Sequence, residues 1–262
     1  AGATRSTAVS TLLMLASFVA SAAFAPLAPV APLAPAARAS PAVMETKADL
    51  VALADQLNPV VGFWDPMKLS DVDFWGQGEE RTIGFLRESE IKHGRIAMAG
   101  FVGYIVHSAG IRTQGDQIAM AVPKDLSAPE VWDALPEIAK WQIILFVGVM
   151  EIWRENKVVL EGEGQKHYMS GGKPGYFPTF DMLPHPVPFN LYDPWGVMTQ
   201  KTEEQKARGR LVEINNGRLA MIGLFGFLSE AKVPGSVPLL KGVIPFYAGE
   251  PMAPFASNIF TL

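Results

Sequence analysis

The sequence predicts an all-α membrane protein in which three transmembrane helices are joined by long ordered loops, with the first and third helices crossing about a pseudo-two-fold axis. Three segments, at roughly 82–111, 136–158 and 203–232, combine a helical period with the roughly 20 residues that a bilayer crossing needs. The first and third segments repeat each other in sequence. The 24 glycines and 21 prolines fall mostly between the apolar segments, which favours long ordered loops.

Composition excludes several functional classes. The chain has 49% hydrophobic and 18% charged residues, and its formal net charge is −4. Without a basic field the protein has no means of holding a polyanion, so we expect no nucleic-acid partner. The absence of cysteine excludes disulfides, thiolate nucleophiles and cysteine-ligated metals, and any metal must therefore bind to oxygen or nitrogen.

The first 42 residues differ from the rest. Arg5 precedes an apolar run at 12–25, which is followed by an acid-free stretch rich in alanine and proline that contains Arg38. This pattern predicts a plastid-targeting leader, with a signal part and a transit-like part; a disordered segment is the alternative. We expect residues 43–262 to form the three-helix domain.

Each predicted span carries ionisable groups, which cost several kcal/mol in or near a bilayer unless they are paired or ligated. They are Glu90, Lys92, His93 and Arg95 in the first span, Glu151 and Arg154 in the second, and Glu213 and Arg218, beside Asn216, in the third. Amphipathic helices of a soluble bundle would instead show a polar stripe along their length. In the first and third spans the charges cluster in the N-terminal half, so we favour a functional role for them over the polar face of a soluble bundle.

The repeat has an offset of 123 residues. EIKHGRIAMAGFVG at 90–103 matches EINNGRLAMIGLFG at 213–226 in 8 of 14 positions, and Asp65-Pro66 upstream of the first copy is echoed by Asp193-Pro194. Two similar segments should insert in the same direction, which requires an odd number of crossings between them. The middle segment supplies that crossing, and the repeats are then related by an axis along the membrane normal.

The repeated residues offer ligands for a cation. Glu90 and His93 share a helix face, as do Glu213 and Asn216, and each pair offers oxygen or nitrogen lone pairs to a hard cation such as Mg²⁺. A set of interhelical ion pairs with an incidental histidine and asparagine is the purely structural alternative.

Small residues at the repeat centre predict a close helix crossing. Gly94 and Gly217 would let the two helices approach. A two-fold crossing then places Arg95 beside Glu213 and Arg218 beside Glu90, which would make the buried cluster neutral.

Two alternatives belong to other functional classes. A membrane di-iron carboxylate oxidase also uses Glu-x-x-His on bundle helices, but the second copy has Asn216 where that site needs histidine. An ion-coupled transporter could use the same glutamates and arginines, although three helices leave little room for a gated path.

The two copies resemble the first and third membrane helices of the chlorophyll-binding light-harvesting complex superfamily, with its pattern E-x-x-(H/N)-x-R. The resemblance covers roughly 60–238. It implies chlorophyll magnesium ligands at Glu90, His93, Glu151, Glu213 and Asn216, and interhelical ion pairs at Arg95 and Arg218.

Three further ligands are less direct. Gln142 lies near a family glutamine position, one residue out of register with Glu151, and Glu230 stands where the family commonly carries a glutamine, with no obvious partner for its charge. Subtracting the repeat offset from Glu230 gives His107, which we expect to bind a two-fold-related pigment; an interfacial histidine at a helix end is the alternative. The family's last histidine ligand has no counterpart at 233–254.

The resemblance also implies carotenoids, whose end groups the motifs Asp65-Pro66 and Asp193-Pro194 would hold. The aromatic, proline-rich loop at 161–200 and the leader look most like chlorophyll a/c antennae of dinoflagellates or other red-lineage algae. The implied cofactors are chlorophyll a, chlorophyll c, and peridinin or fucoxanthin with a diadinoxanthin-type carotenoid.

The implied function is light harvesting without enzymatic chemistry, in the thylakoid membrane of a plastid of secondary origin. The implied partners are a photosystem core (I or II), neighbouring antenna subunits and thylakoid lipids. A photoprotective relative that dissipates energy has the same ligands, so the sequence leaves that alternative open.

Overall fold

All regular secondary structure is helical in the part of the chain described by a computed structural model, namely residues 45–111, 123, 125–180, 193, 196–197, 200–251 and 253–255. The α-helices in these ranges are α1 (Lys47–Leu57), α2 (Glu79–Ser108), α3 (Ala128–Asp133), α4 (Glu137–Glu155), α5 (Lys157–Gly162) and α6 (Glu203–Lys232). Short 3-10 turns lie at Leu69–Asp71, Tyr168–Ser170 and Pro238–Leu240. The predicted leader, residues 1–42, lies outside the described ranges.

The all-α prediction is confirmed, and the three long predicted helices correspond to α2, α4 and α6. The bounds of α6 are those predicted, α2 lies three residues earlier at both ends, and α4 is slightly shorter than expected. Over the described ranges, no helix is both long enough and apolar enough to meet the hydropathy criterion for a membrane span.

Side chains cap the N-termini of α1, α3 and α5. Thr46 and Asp49 form a capping box at α1, in which the Thr46 amide donates to Asp49 at 2.8 Å. Ser127 and Glu130 form the same motif at α3. Asn156 caps α5 by accepting the Val158 amide at 2.9 Å. Each cap satisfies amide groups that the first turn of a helix leaves unpaired, so these short helices have a defined start.

The described residues form two compact units. Unit A comprises residues 45–95 and 147–217, and therefore holds the N-terminal halves of α2 and α6 and the C-terminal half of α4. Its buried groups include charged side chains: Glu88 is 2% exposed and Arg154 is 6% exposed. In a loop of this unit, His167 caps the turn Tyr168–Ser170 by accepting the Met169 amide through Nδ1.

Unit B comprises residues 96–146 and 218–255, with the remaining halves of the three long helices. Its core is apolar and aromatic. Tyr104 and Phe227 pack with ring centroids 4.9 Å apart, and Phe101 stacks on Phe227 at 5.0 Å. Tyr247 closes the core, since its amide donates to the Ala231 carbonyl and its hydroxyl donates to Asp133 at 2.7 Å.

Candidate functional site

Within unit A, α2 and α6 cross in direct backbone contact at two glycines. A Cβ atom added to Gly94 would lie 3.1 Å from the Cα of Gly217, and one added to Gly217 would lie 2.9 Å from the Cα of Gly94. Any side chain at either position would push the helices apart. The crossing is the one that the repeat predicted, and it brings the charged residues on both helices together.

The predicted ion pair between Arg95 and Glu213 is present at this crossing. Arg95 Nε donates to Glu213 Oε1 at 2.6 Å, and Arg95 Nη1 donates to the Gly175 carbonyl at 2.8 Å. Both side chains are about 30% exposed. The pair neutralises Glu213, whose carboxylate keeps lone pairs for a further ligand.

Glu90 has a cation from its own helix. Arg87, one turn earlier, contacts Glu90 Oε2 and also reaches Glu45 Oε2 at 3.3 Å. Arg87 is mostly buried, whereas the Glu90 side chain is 23% exposed. Sequence reasoning missed Arg87 as a partner of Glu90. Arg218 lies in unit B, and its pairing with Glu90 stays a prediction.

His93 is exposed on α2 and held in one tautomer. Its Nδ1 lies 2.7 Å from the Ser89 carbonyl oxygen, which only accepts hydrogen bonds, so Nδ1 carries the proton and donates. In the neutral ring Nε2 then has the lone pair that binds a metal. Asn216, the matching residue of α6, is half-buried in the same unit.

Glu151 on α4 pairs with Lys92 of α2, which sequence reasoning did not foresee. Lys92 Nζ contacts Glu151 Oε2 and lies 3.4 Å from Glu155 Oε1. The guanidinium of Arg154 instead contacts the buried carboxylate of Glu88. These pairs join helices 59 positions or more apart in sequence, so no local spacing reveals them.

Asp65 and Asp193, the aspartates of the two Asp-Pro motifs, accept the same kind of hydrogen bond. Asp65 Oδ1 accepts the Leu69 amide at 3.0 Å, and Asp193 Oδ1 accepts the Val197 amide at 2.8 Å, four residues on in both cases. Hydrogen bonds from the Ser70 and Leu69 amides hold the pKa of Asp65 below its ordinary value. Pro66 is exposed, whereas Pro194 lies outside the described residues.

Glu230, in unit B, has partners that the sequence did not reveal. Its Oε1 accepts the Gly235 amide at 2.8 Å and its Oε2 accepts the Val237 amide at 2.9 Å. The side chain is 1% exposed. Contrary to the expectation that its charge lacks a partner, Glu230 fastens the chain that leaves α6, and both oxygens are already engaged.

The other two predicted ligands of unit B differ in setting. His107 lies beside a cleft of about 260 Å³, which is lined by Gly103, Tyr104 and Trp132, among others. Gln142 is exposed on α4. Both positions are accessible to a ligand from outside the chain.

A polynuclear metal centre has no counterpart in the described ranges, where no three His, Asp or Glu side chains converge as a metal-binding group. The arrangement in unit A is different: single donors, each on the outside of a helix, with a cation beside each carboxylate. Such donors suit several separate ligands better than one shared ion.

Similarity to known proteins extends over the region that contains α2, α4 and α6. The sequence profile described as "Chlorophyll A-B binding protein" matches residues 51–232. The chain is 33% identical over 189 residues to a chloroplastic fucoxanthin-chlorophyll a-c binding protein of Trieres chinensis, covering 70% of this chain and 79% of the relative. It is 29% identical over 194 residues to the corresponding protein C of Phaeodactylum tricornutum, covering 71% and 83%. It is 31% identical over 177 residues to protein E of Macrocystis pyrifera, covering 65% and 69%.

Proposed function

Because this chain belongs to the chlorophyll a/b-binding protein family, we propose that it is a light-harvesting antenna subunit that binds chlorophyll a, chlorophyll c and fucoxanthin. The observation that carries the proposal is the match over residues 51–232, which includes both repeat helices and α4. The relatives are named as chloroplastic proteins, so we place this one in the chloroplast, at the thylakoid membrane. Its role is pigment binding and not catalysis.

The three long helices are proposed to cross the membrane. At about 1.5 Å per residue, the 30 residues of α2 and of α6 extend about 45 Å and the 19 of α4 about 28 Å, against a hydrocarbon core of about 30 Å. Charged residues lower the mean hydropathy of α2 and α6, but those of unit A described above are largely paired. Paired charges cost less in a bilayer than isolated ones.

The proposed magnesium ligands are Glu90, His93, Glu151, Glu213 and Asn216, with His107 and Gln142 as further candidates. His93 and Glu213 support this set, because Nε2 of His93 and the second carboxylate oxygen of Glu213 keep lone pairs that magnesium can bind. Glu230 is left out of the set, since both of its oxygens hold backbone amides. The turns at Asp65 and Asp193 are proposed to hold carotenoid end groups.

Bound chlorophylls and carotenoids supply light absorption and excitation transfer. The chain's residues determine where each pigment lies: ligand side chains fix its position, and the Gly94–Gly217 contact fixes the spacing of the two central helices. Arg95 balances the negative charge of Glu213, and Lys92 balances that of Glu151. A photosystem core and neighbouring antenna subunits are the proposed acceptors of the excitation.

The test is refolding of the full chain in detergent with chlorophyll a, chlorophyll c and fucoxanthin. We expect several chlorophylls per chain, and chlorophyll a fluorescence whose excitation spectrum contains the fucoxanthin and chlorophyll c bands. A chain that folds but retains no pigment through gel filtration would overturn the proposal. Strongly shortened fluorescence, with pigments bound, would identify the energy-dissipating relative instead.

A further inference from the structure

Lys92, which lies between the proposed ligands Glu90 and His93 in the sequence, contacts a third proposed ligand, Glu151. Resting on the proposed function, we propose that Lys92 is the positioning residue for Glu151, balancing the negative charge of that carboxylate and orienting it so that it binds chlorophyll magnesium. Lys92 Nζ contacts Glu151 Oε2, and the Glu151 side chain remains 45% exposed. The carboxylate is therefore fixed at one oxygen and accessible from outside the helix.

A cation beside Glu151 is needed because a ligand carboxylate loses its hydration when a macrocycle covers it. An ionised group in such a place is costly unless a counter-charge lies close by. Glu213 solves the same problem with Arg95 at 2.6 Å, and Glu90 with Arg87. Lys92 gives the third glutamate of the set the same kind of partner.

The cation that spacing alone favours for Glu151 is already engaged. Arg154 lies three residues further along α4, within reach of a side-chain pair on one helix face. It is 6% exposed, its guanidinium contacts Glu88 Oε1, and its Nε donates to the Tyr176 carbonyl at 2.8 Å. Neutralisation of Glu151 is thus left to Lys92.

The other contacts of Lys92 fit this role. Glu88 has other partners, because the Arg154 guanidinium contacts its Oε1 as an ion pair and the Gly175 amide donates to its Oε2 at 2.6 Å. Lys92 lies 4.0 Å from Glu88 Oε1, farther than from Glu151 or Glu155. Glu155, 3.4 Å from Lys92, also accepts the Tyr168 hydroxyl at 3.3 Å. An ammonium group has three donors on a compact head, so it can share itself between Glu155 and one oxygen of Glu151.

The experiment compares chlorophyll content per chain after refolding with chlorophyll a, chlorophyll c and fucoxanthin. In the variant Lys92→Met we expect the loss of about one chlorophyll per chain, at a position that a difference absorption spectrum identifies. In Lys92→Met/Glu151→Gln we expect that chlorophyll to return, because the neutral amide oxygen of glutamine ligates magnesium without a counter-charge. Lys157→Met, at an exposed lysine of α5, is the matched control and should retain every pigment.

A structural role for Lys92 would give a different pattern. If Lys92→Met keeps its full chlorophyll content, or if the double variant loses as much as the single one, the proposal is overturned. It is also overturned if Glu151→Val removes no chlorophyll from a chain that otherwise binds several. If the unsubstituted chain takes up no chlorophyll at all, the proposed function itself is overturned. That result is distinct from the outcomes above, in which the unsubstituted chain binds several chlorophylls.

Discussion

Gly94 and Gly217 occupy one point of contact between α2 and α6, where the Cα of each lies within 3.1 Å of the Cβ position of the other. The contact is between backbones, so no side-chain rotation makes room for a larger residue. The helix spacing at this crossing therefore depends on both positions remaining glycine.

The variant Gly217→Ala should lower the free energy of unfolding by about 1–3 kcal/mol, because the added methyl group would have to displace the facing backbone. Thermal unfolding of the full chain in detergent, followed by far-ultraviolet circular dichroism, measures the change. Gly209→Ala on the same helix is the control, since nothing lies near its Cβ position, and it should stabilise by about 0.5–1 kcal/mol. Equal effects at the two positions would contradict the close crossing.

Replacing Arg95 by methionine removes the cation beside Glu213 and the hydrogen bond to Gly175. We expect a cost of about 2–3 kcal/mol, below the roughly 3–5 kcal/mol of a fully buried pair because both side chains are partly exposed. Glu213→Gln in the Arg95→Met background should recover part of the loss. Arg208→Met, at an exposed arginine of α6, should stay within about 0.5 kcal/mol. Additive effects of the two changes at 95 and 213 would show that the pair is not coupled.

Lys68 has a backbone conformation that favours glycine, and glycine is the residue at the corresponding position after Asp193. It adopts a left-handed backbone with φ 53°, and Gly196, three residues after Asp193, has φ 65° in the corresponding place. A left-handed conformation costs a residue with a side chain roughly 1 kcal/mol. Lys68→Gly should therefore stabilise the chain by about 0.5 kcal/mol, as measured by denaturant unfolding. Lys68→Ala is the control, because alanine keeps the strain, and a larger gain from alanine would contradict this explanation.

Stability should fall on mild acidification because of His167. Burial lowers the pKa of His167 below its ordinary value of 6.5, so the unfolded chain takes up a proton before the folded chain does. The contribution is therefore complete above pH 6.5 and is lost as the pH falls from 6.5 through the lower pKa of the folded state. Unfolding midpoints at pH 7.5 and at pH 5.5 measure the effect. His167→Gln should reduce the difference between them, and an unchanged difference would assign the acid sensitivity to other groups.

Glu230→Gln should weaken the turn after α6 without removing a pigment. An amide side chain has one acceptor oxygen, whereas the Gly235 and Val237 amides both need one, so an N–H group would face an N–H group. We expect a lower unfolding midpoint and an unchanged chlorophyll content after refolding. Loss of one chlorophyll would instead return Glu230 to the ligand set.

Sequence patterns predicted the long helices because their apolar period and their internal repeat extend over many residues. The same repeat placed Gly94 opposite Gly217 and Arg95 beside Glu213, since a two-fold crossing of like sequences leaves few other pairings. The short helix α3 was missed although its capping box, Ser127 to Glu130, is visible in the sequence. Helices of six residues gain little from propensity and depend on the contacts around them.

The charge network of α4 could not be predicted in the same way. Their spacing on α4 favours a pair between Glu151 and Arg154. In the structure Arg154 pairs with the buried carboxylate of Glu88, and Glu151 pairs with Lys92. Which of several nearby cations meets which carboxylate depends on burial and on the path of the loop that carries Gly175 and Tyr176. Both depend on the tertiary structure and leave no pattern in the local sequence. The partners of Glu230 were missed for a related reason, because they are backbone groups beyond the end of α6.

The pairing of Glu90, Glu151 and Glu213 with adjacent cations also limits the distance over which the charge of each proposed ligand is felt. The potential of a lone charge falls with the inverse of distance, whereas that of an ion pair, which is a dipole, falls with the inverse square. Each acidic ligand would thus shift the colour of the pigment that it holds far more than the colour of its neighbours. In such an arrangement, the downhill sequence of excitation energies can be adjusted one site at a time by single substitutions.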